Sequence, residues 1–467
     1  MRKVVIVWCI VFFSLVSKGA NDTSATSKIT IYELIIAGNQ RTHNRVITRE
    51  LAFNIQQEYA ATLLDSLLKV SRNNLYNTGL FSSVEINSTQ NNQRGTAIIL
   101  VAERLPILPL PVIELADRNA SAWLQNPSWS RINYGLAVMA RNISGNNDSY
   151  IFAFKRGFNN AVLIEYIAPY INKKMNSGMA FKMRYATNNQ VLVRTINNKA
   201  EFLKAKGTTK IKHELVTNVR YTFRQQLYLI HTLLAQYTYL SVADTILALQ
   251  PNYGSNNGNS TNTFFTLSYE FKLDKRDYKN YPLQGYFISA LVQKDGLNIL
   301  KNEHINTLYA TLQLKKYIKL NTRFYYAIGA KAKKSNSGYQ PYFMVKGLGY
   351  GNDLVRGFEY YNIDAPNYFY VRHNIKYALI QPNEVRIWGA KNNSINVFRY
   401  GLFLNLFNDV GQAFSSAQPN STLNNKLLYS AGIGIDFITS YDAAIRVEYT
   451  LNSINTRGIY ISLVAPI

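Results

Sequence analysis

From Ser128 onward the chain repeats with a period of two. Ile132, Tyr134, Leu136 and Val138 alternate with Asn133, Gly135, Ala137 and Met139. Ile445, Val447, Tyr449 and Leu451 alternate with Arg446, Glu448 and Thr450. Such a period belongs to a strand with two unlike faces. About sixteen such segments of ~9–12 residues follow one another, each the length a tilted strand needs to cross a bilayer. They begin near residues 131, 150, 161, 178, 191, 212, 227, 263, 285, 305, 322, 366, 398, 427, 442 and 458. One face is apolar and rich in Tyr and Phe. The other carries Lys182, Arg184, Arg220, Arg224, Arg372, Lys376, Arg399 and Arg446. A soluble barrel turns its apolar face inward, whereas a wide lipid-embedded one turns charge inward around water. Lipid offers the backbone no hydrogen bonds, so such a sheet must close. Residues 127–467 are therefore expected to form a transmembrane β-barrel of about 16 antiparallel strands.

The N-terminus points the same way. Arg2 and Lys3 precede an apolar run, Val4–Val16, and then Ser17-Lys18-Gly19-Ala20. This is the pattern of a cleaved secretory signal peptide over residues 1–20. The only Cys, Cys9, lies inside that run, which excludes a disulfide scaffold and any multi-Cys metal site. Downstream, no apolar run is long enough for a membrane-spanning helix. The formal charge is +24, but the cations are spread along strands and form no compact nucleic-acid footprint. A wet lumen or an anionic lipid surface is a better place for them.

Residues 28–103 have a different texture. Lys28–Ala37 reads as a strand, Thr48–Tyr59 and Ala61–Tyr76 carry helical spacing, and Phe81–Asn87 with Thr96–Val101 reads as a hairpin. The order is β-α-α-β-β, a small α/β domain. Residues 104–126, with Pro106, Pro109 and Pro111, read as a stiff extended linker.

Against this background three short series resemble a known family. Gly38-Asn39-Gln40-Arg41-Thr42, Val46-Ile47-Thr48-Arg49-Glu50-Leu51 and Asn77-Thr78-Gly79-Leu80-Phe81 together resemble a POTRA domain, the periplasmic module of outer-membrane assembly proteins. Val355-Arg356-Gly357-Phe358 resembles the loop motif of the BamA-like barrel-assembly superfamily, and Phe407-Asn408-Asp409-Val410-Gly411 its strand motif. Asp274-Lys275-Arg276-Asp277 with Pro282 and Gly285 is similar to that family's periplasmic turn. Phase counting puts Asp409 on the lumenal side, where it is available to pair with Arg356. Glu448 is a second lumenal candidate. The last strand, with Gly458, Ile461 and Leu463, fits the signal by which barrels are recognised for insertion. Pro466 then removes a ladder donor. The seam is accordingly expected between a first strand bearing Ile132 and Tyr134 and this last one.

The resemblance implies a non-enzymatic protein in the outer membrane of a diderm bacterium, with its POTRA domain in the periplasm. It would insert or translocate clients, capturing their strands through the POTRA edge and a lateral seam. The implied partners are unfolded outer-membrane or secreted clients, outer-membrane lipid, and periplasmic chaperones or accessory lipoproteins; nucleic acid is not among them. Two other readings fit the lumenal cations and the architecture: a diffusion channel with a basic lumen, and a dedicated two-partner-type secretion transporter. The five His residues are scattered without a ligand spacing, and no nucleophile elbow or phosphate loop is present, so no metal, cofactor or catalytic residue is expected.

Overall fold

The computed structural model describes residues 28–91, 94–115, 123, 127–255, 258–301, 303–336, 340–386, 397–415, 421–439 and 444–463. The expected signal peptide and Pro466 lie outside these residues.

The N-terminal domain is a four-stranded sheet, order β2-β1-β4-β3, with one long helix against it. Its elements are β1 (Lys28–Ala37), α1 (Asn44–Thr48), β2 (Glu58–Ala60), α2 (Ala61–Asn77), β3 (Phe81–Asn91) and β4 (Arg94–Glu103). Leu64, Leu68 and Leu75 of α2 pack down onto Ile31, Val84, Ala97 and Ile99, at the spacing that makes one helix face apolar. The helix expected over 48–59 is shorter and earlier. Residues 49–57 are irregular, and Gln56 there takes a left-handed backbone (φ 63°), which ends any helix.

The second body is a sixteen-stranded antiparallel sheet. Its first eight strands are β5 (Ile107–Leu115), β6 (Ile132–Arg141), β7 (Ser149–Gly157), β8 (Asn159–Ala168), β9 (Ser177–Asn188), β12 (Lys212–Gln225), β13 (Leu229–Val242) and β14 (Thr261–Asp274). The remaining eight are β15 (Gly285–Asp295), β16 (Thr307–Lys319), β17 (Phe324–Ser335), β18 (Asn367–Arg386), β19 (Val397–Phe414), β20 (Leu428–Ile438), β21 (Ala444–Asn452) and β22 (Arg457–Leu463). In β21 every second residue is buried: Arg446, Glu448 and Thr450 face in, while Ile445, Val447, Tyr449 and Leu451 are exposed. An apolar exterior over a charged interior is the signature of a barrel solvated by lipid. No helix among the described residues is long and apolar enough to cross a membrane, which says nothing of strands.

Two expectations need correction here. The segment read as a linker contains β5, paired with β6 over nine residues from Ile107↔Ala140 to Leu115↔Ile132. Arg141 N donates to Pro106 O, which fixes the phase of the ladder. Leu108, Leu110, Val112 and Glu114 thus face β6, while Pro109 and Pro111 face away, where no donor is required. Conversely, the segment near 191 is not in the barrel. It is β10 (Gln190–Ile196), which among the described residues pairs with β11 (Lys199–Lys204) alone. This hairpin packs with a short helix, α3 (Asp244–Leu249), around Val191, Val193, Leu240 and Ile246, and caps the end of the barrel far from the N-terminal domain.

Candidate functional site

Arg356 stands on the long loop between β17 and β18, which folds into the barrel. Its Nε donates to Asp409 Oδ2 at 2.8 Å, its Nη2 to Asp409 Oδ1 at 2.5 Å and its Nη1 to Glu448 Oε1 at 3.2 Å. The guanidinium also lies 3.9 Å from the ring centroid of Phe407. Arg356, Asp409 and Glu448 are all buried. A planar fork shared between two carboxylates is a geometry Arg supplies and Lys does not.

The rest of both motifs makes room for this clasp. Gly357 has φ 86°, and a Cβ there would lie 2.6 Å from Thr450 Cγ2. Its carbonyl accepts from Asn452 Nδ2 and from the Tyr460 hydroxyl, tying the loop to β21 and β22. Val355 and Phe358 are buried among Leu348, Ile363, Tyr368 and Tyr370. Gly411 is the recess for Val355, since a Cβ at 411 would sit 2.7 Å from Val355 Cγ2. Gly357→Ala should therefore lower stability by about 1–3 kcal/mol through backbone strain alone. The check is the temperature at which the folded band disappears in heat-modifiable electrophoresis.

A second cluster continues the network, and motif reading did not reach it. Arg446 binds Asp436 through Nε and Nη2 (2.6 and 2.8 Å) and lies 3.6 Å from Glu448. Asp436 also accepts from the Tyr281 hydroxyl at 2.7 Å and from Asn405. Tyr281 lies in the turn between β14 and β15, one residue before the motif's Pro282. In that turn Asp274 and Arg276 form a two-pronged pair, and the Asp277 carboxylate accepts from the backbone N–H of Tyr278 and Leu283. Gly285 has φ 101° and leaves no space for a Cβ against Lys275 O. The turn bends into the lumen, where Tyr281 and Leu283 pack with Tyr325, Phe403 and Ile438; Pro282 lies between them. From Tyr281 to Asp409 the polar chain is thus continuous. Motifs marked Arg356 and Asp409, strand phase alone pointed to Glu448 and Arg446, and nothing in the sequence pointed to the Tyr281–Asp436 link.

The N-terminal motif residues divide into two groups. Gly38 (φ 90°), Gly79 (φ 75°), Leu80 and Phe81 serve the fold of their own domain, the last two as buried core. Asn39 closes a turn onto Thr42 O, and the Arg41 N–H donates to Glu103. Arg49 and Glu50 instead reach the barrel. Arg49 donates to Met175 O and Gln226 O, and Glu50 receives Arg224 through both oxygens (2.5 and 2.7 Å) and the Tyr170 hydroxyl. Burial pushes the Tyr170 hydroxyl up to about 12, so it stays a donor to Glu50. Asn77 donates to Asp277 O, and Tyr76 packs edge-on against Tyr278 at 5.7 Å. The domain is thus seated across the barrel mouth by the turns at that end.

The seam lies elsewhere than expected. Ile132 and Tyr134 belong to β6, which is paired on both sides, by β5 and β7, and so is no edge. The error follows from taking the Pro-rich β5 for a linker. The two terminal strands of the sheet are β5 and β22, and no ladder joins them among the described residues. Asn452 N donates to Thr456 O, so Gly458 and Tyr460 face β21 while Ile459, Ile461 and Leu463 present their backbone groups to the seam. Across from them β5 lacks donors at Pro109 and Pro111. Among the described residues no three His, Cys, Asp or Glu side chains converge as metal ligands.

Comparisons with known proteins agree with this geometry. Residues 29–104 match the POTRA family model, described as surface antigen variable number repeat. The whole fold is similar to BamA from Haemophilus ducreyi lacking POTRA domains 1–3, at 14% identity and TM-score 0.50, covering 93% of this chain and 83% of that one. It is also similar to CdiB from Escherichia coli, at 9% identity and TM-score 0.50, covering 96% of this chain and 91% of that one. No curated protein sequence matches it. The chain thus has one POTRA domain followed by a sixteen-stranded antiparallel sheet, in a fold similar to those of BamA and CdiB.

Proposed function

We propose that this BamA-like chain inserts client proteins into, or translocates them across, a bacterial outer membrane, with the POTRA side in the periplasm. The observation that carries the reading is the seam between the first and last strands, where no ladder forms among the described residues. β5 and β22 are the two terminal strands of the sheet, and among the described residues no ladder joins them, an arrangement natural proteins otherwise cover or blunt. A client strand laid along β5 finds carbonyl acceptors at every outward position and donors at Ile107, Ile113 and Leu115, which is enough for β-augmentation but not for a permanent ladder. The POTRA edge strand β3 offers a second row, where a client segment is held before it reaches the seam. Occupation of the lumen by the Arg356 loop, with the POTRA domain across the opposite mouth, favours this reading over a steadily open channel.

The sequence has one Cys, Cys9, so cysteine pairs can be placed on β5 and β22 in a nearly thiol-free chain. Oxidative closure of the seam should halt client assembly, and reductant should restore it. Normal assembly with the seam locked would refute the proposal. In the same cells, depletion followed by a census of outer-membrane proteins separates a general assembly role, with broad loss of barrels, from dedicated export, with loss of one secreted protein.

A further inference from the structure

On the lipid-facing wall, between β15 and β19, lies a hollow of about 680 Å³, within the roughly 300–1,000 Å³ range of small-molecule sites. Its floor is made by Ala290, Ala310 and Ala332 on three neighbouring strands. Larger neighbours wall it: Leu312, and Phe369 stacked on Phe414 with ring centroids 6.0 Å apart. Ala290 and Ala332 flank Leu312 in one cross-strand row, with Ala310 one outward position along β16, so the wall is low on both sides of Leu312. Strand phase confirms the side. Leu267 and Tyr269, cross-strand from Lys294 and Val292, are exposed, whereas Lys331 and Lys333, the lumenal neighbours of Ala332, turn inward to Asp353 and Tyr309.

Two cations stand on this same outer wall toward the end farther from the POTRA domain: Lys334 lines the hollow there, and Lys294 stands beyond that end, two strands away. Lys294 is one residue from the end of β15, and Lys334 one residue from the end of β17. Lys294 Nζ reaches Asn306 Oδ1; Lys334 is exposed, with no ion pair or hydrogen bond among the described residues. On a lipid-facing wall an ammonium is tolerated only near the interface, with its stem along apolar surface and its head among polar groups. The counter-charge it meets there is a lipid phosphate.

We propose that this hollow is a specific lipid site: an acyl chain lies over Ala290, Ala310 and Ala332, and the phosphate of the same molecule is held by Lys294 and Lys334. The ligand is a phosphate-bearing acylated lipid of the leaflet distal to the POTRA domain. The site does not depend on the client-handling reading.

The test uses the full chain in nanodiscs of phosphatidylcholine doped with phosphatidylglycerol as the anionic probe. Native mass spectrometry counts the lipids retained on release. Wild type should keep phosphatidylglycerol in preference to phosphatidylcholine. Lys294→Gln with Lys334→Gln should cut that preference by roughly fivefold or more. Ala310→Trp, which fills the hollow and leaves both lysines, should lower retention of both lipids. Each variant is first shown to be folded by its heat-modifiable band. Equal retention of the two lipids by wild type, or a preference that survives loss of both lysines, would overturn the proposal. So would Ala310→Trp without effect, or displacement of the lipid by excess inorganic phosphate.

Discussion

Arg356→Ala should yield a chain that still reaches the membrane but assembles no clients and loses its folded form at a much lower temperature than wild type. Asp409 is wholly buried and Glu448 nearly so. Removing the guanidinium strands two carboxylates away from water, and losing one member of a buried ion pair costs about 3–5 kcal/mol. Arg372, 3.8 Å from Asp409, and Arg446, 3.6 Å from Glu448, offset part of that. The partner variant gives the sharper measurement. If the clasp acts as one unit, Arg356→Ala combined with Asp409→Asn should be less destabilised than the two single effects summed, because the stranded charge is gone. Arg356→Lys should not rescue, since a point charge cannot span Asp409 and Glu448 while lying flat on Phe407. Full client assembly by Arg356→Ala would remove the loop from the mechanism and leave it a structural plug.

How far the sequence alone leads is visible in particular strands. The strand count was right through two errors that cancel: the segment near 191 was counted and β5 was not. Period two reports that a segment has unlike faces, and β10 satisfies that by packing Val191 and Val193 on the cap at the far mouth as well as a lipid-facing strand would. β5 hid because proline argues against a strand, and only its edge position makes Pro109 and Pro111 harmless. The pairing of Arg356 with Asp409 and Glu448 was accessible because two motifs marked its ends and strand phase gave the side. The Tyr281–Asp436 link was not, since nothing local to a turn reveals that it bends inward. Glu50 and Arg224, far apart in the sequence, likewise carry no local sign of contact.

That last pair is where a substitution should move a whole domain. Glu50 sits at the centre of the POTRA footprint, accepting from Arg224 and Tyr170 while its neighbour Arg49 holds two backbone carbonyls of the turns. Glu50→Lys places a second cation against Arg224, which is held from behind by Leu227 O and cannot swing far. Truncating one member of a buried interfacial ion pair typically costs about 2–5 kcal/mol, and reversing its charge adds repulsion. That is enough to shift a seated domain largely to an unseated one. The expected readout is faster proteolysis at residues 104–106, between β4 and β5, with the barrel core intact. Spin-label distances from α2 to the turn after β14 should broaden. Arg224→Glu added to Glu50→Lys should restore both, since the pair is rebuilt with its poles exchanged. Arg45 and His43, which bind Asn146 at another turn, and Asn77, which donates to Asp277 O, would then be among the remaining anchors in the single variant. Wild-type protease resistance in Glu50→Lys would mean that those contacts and the Tyr76–Tyr278 packing seat the domain without the ion pair.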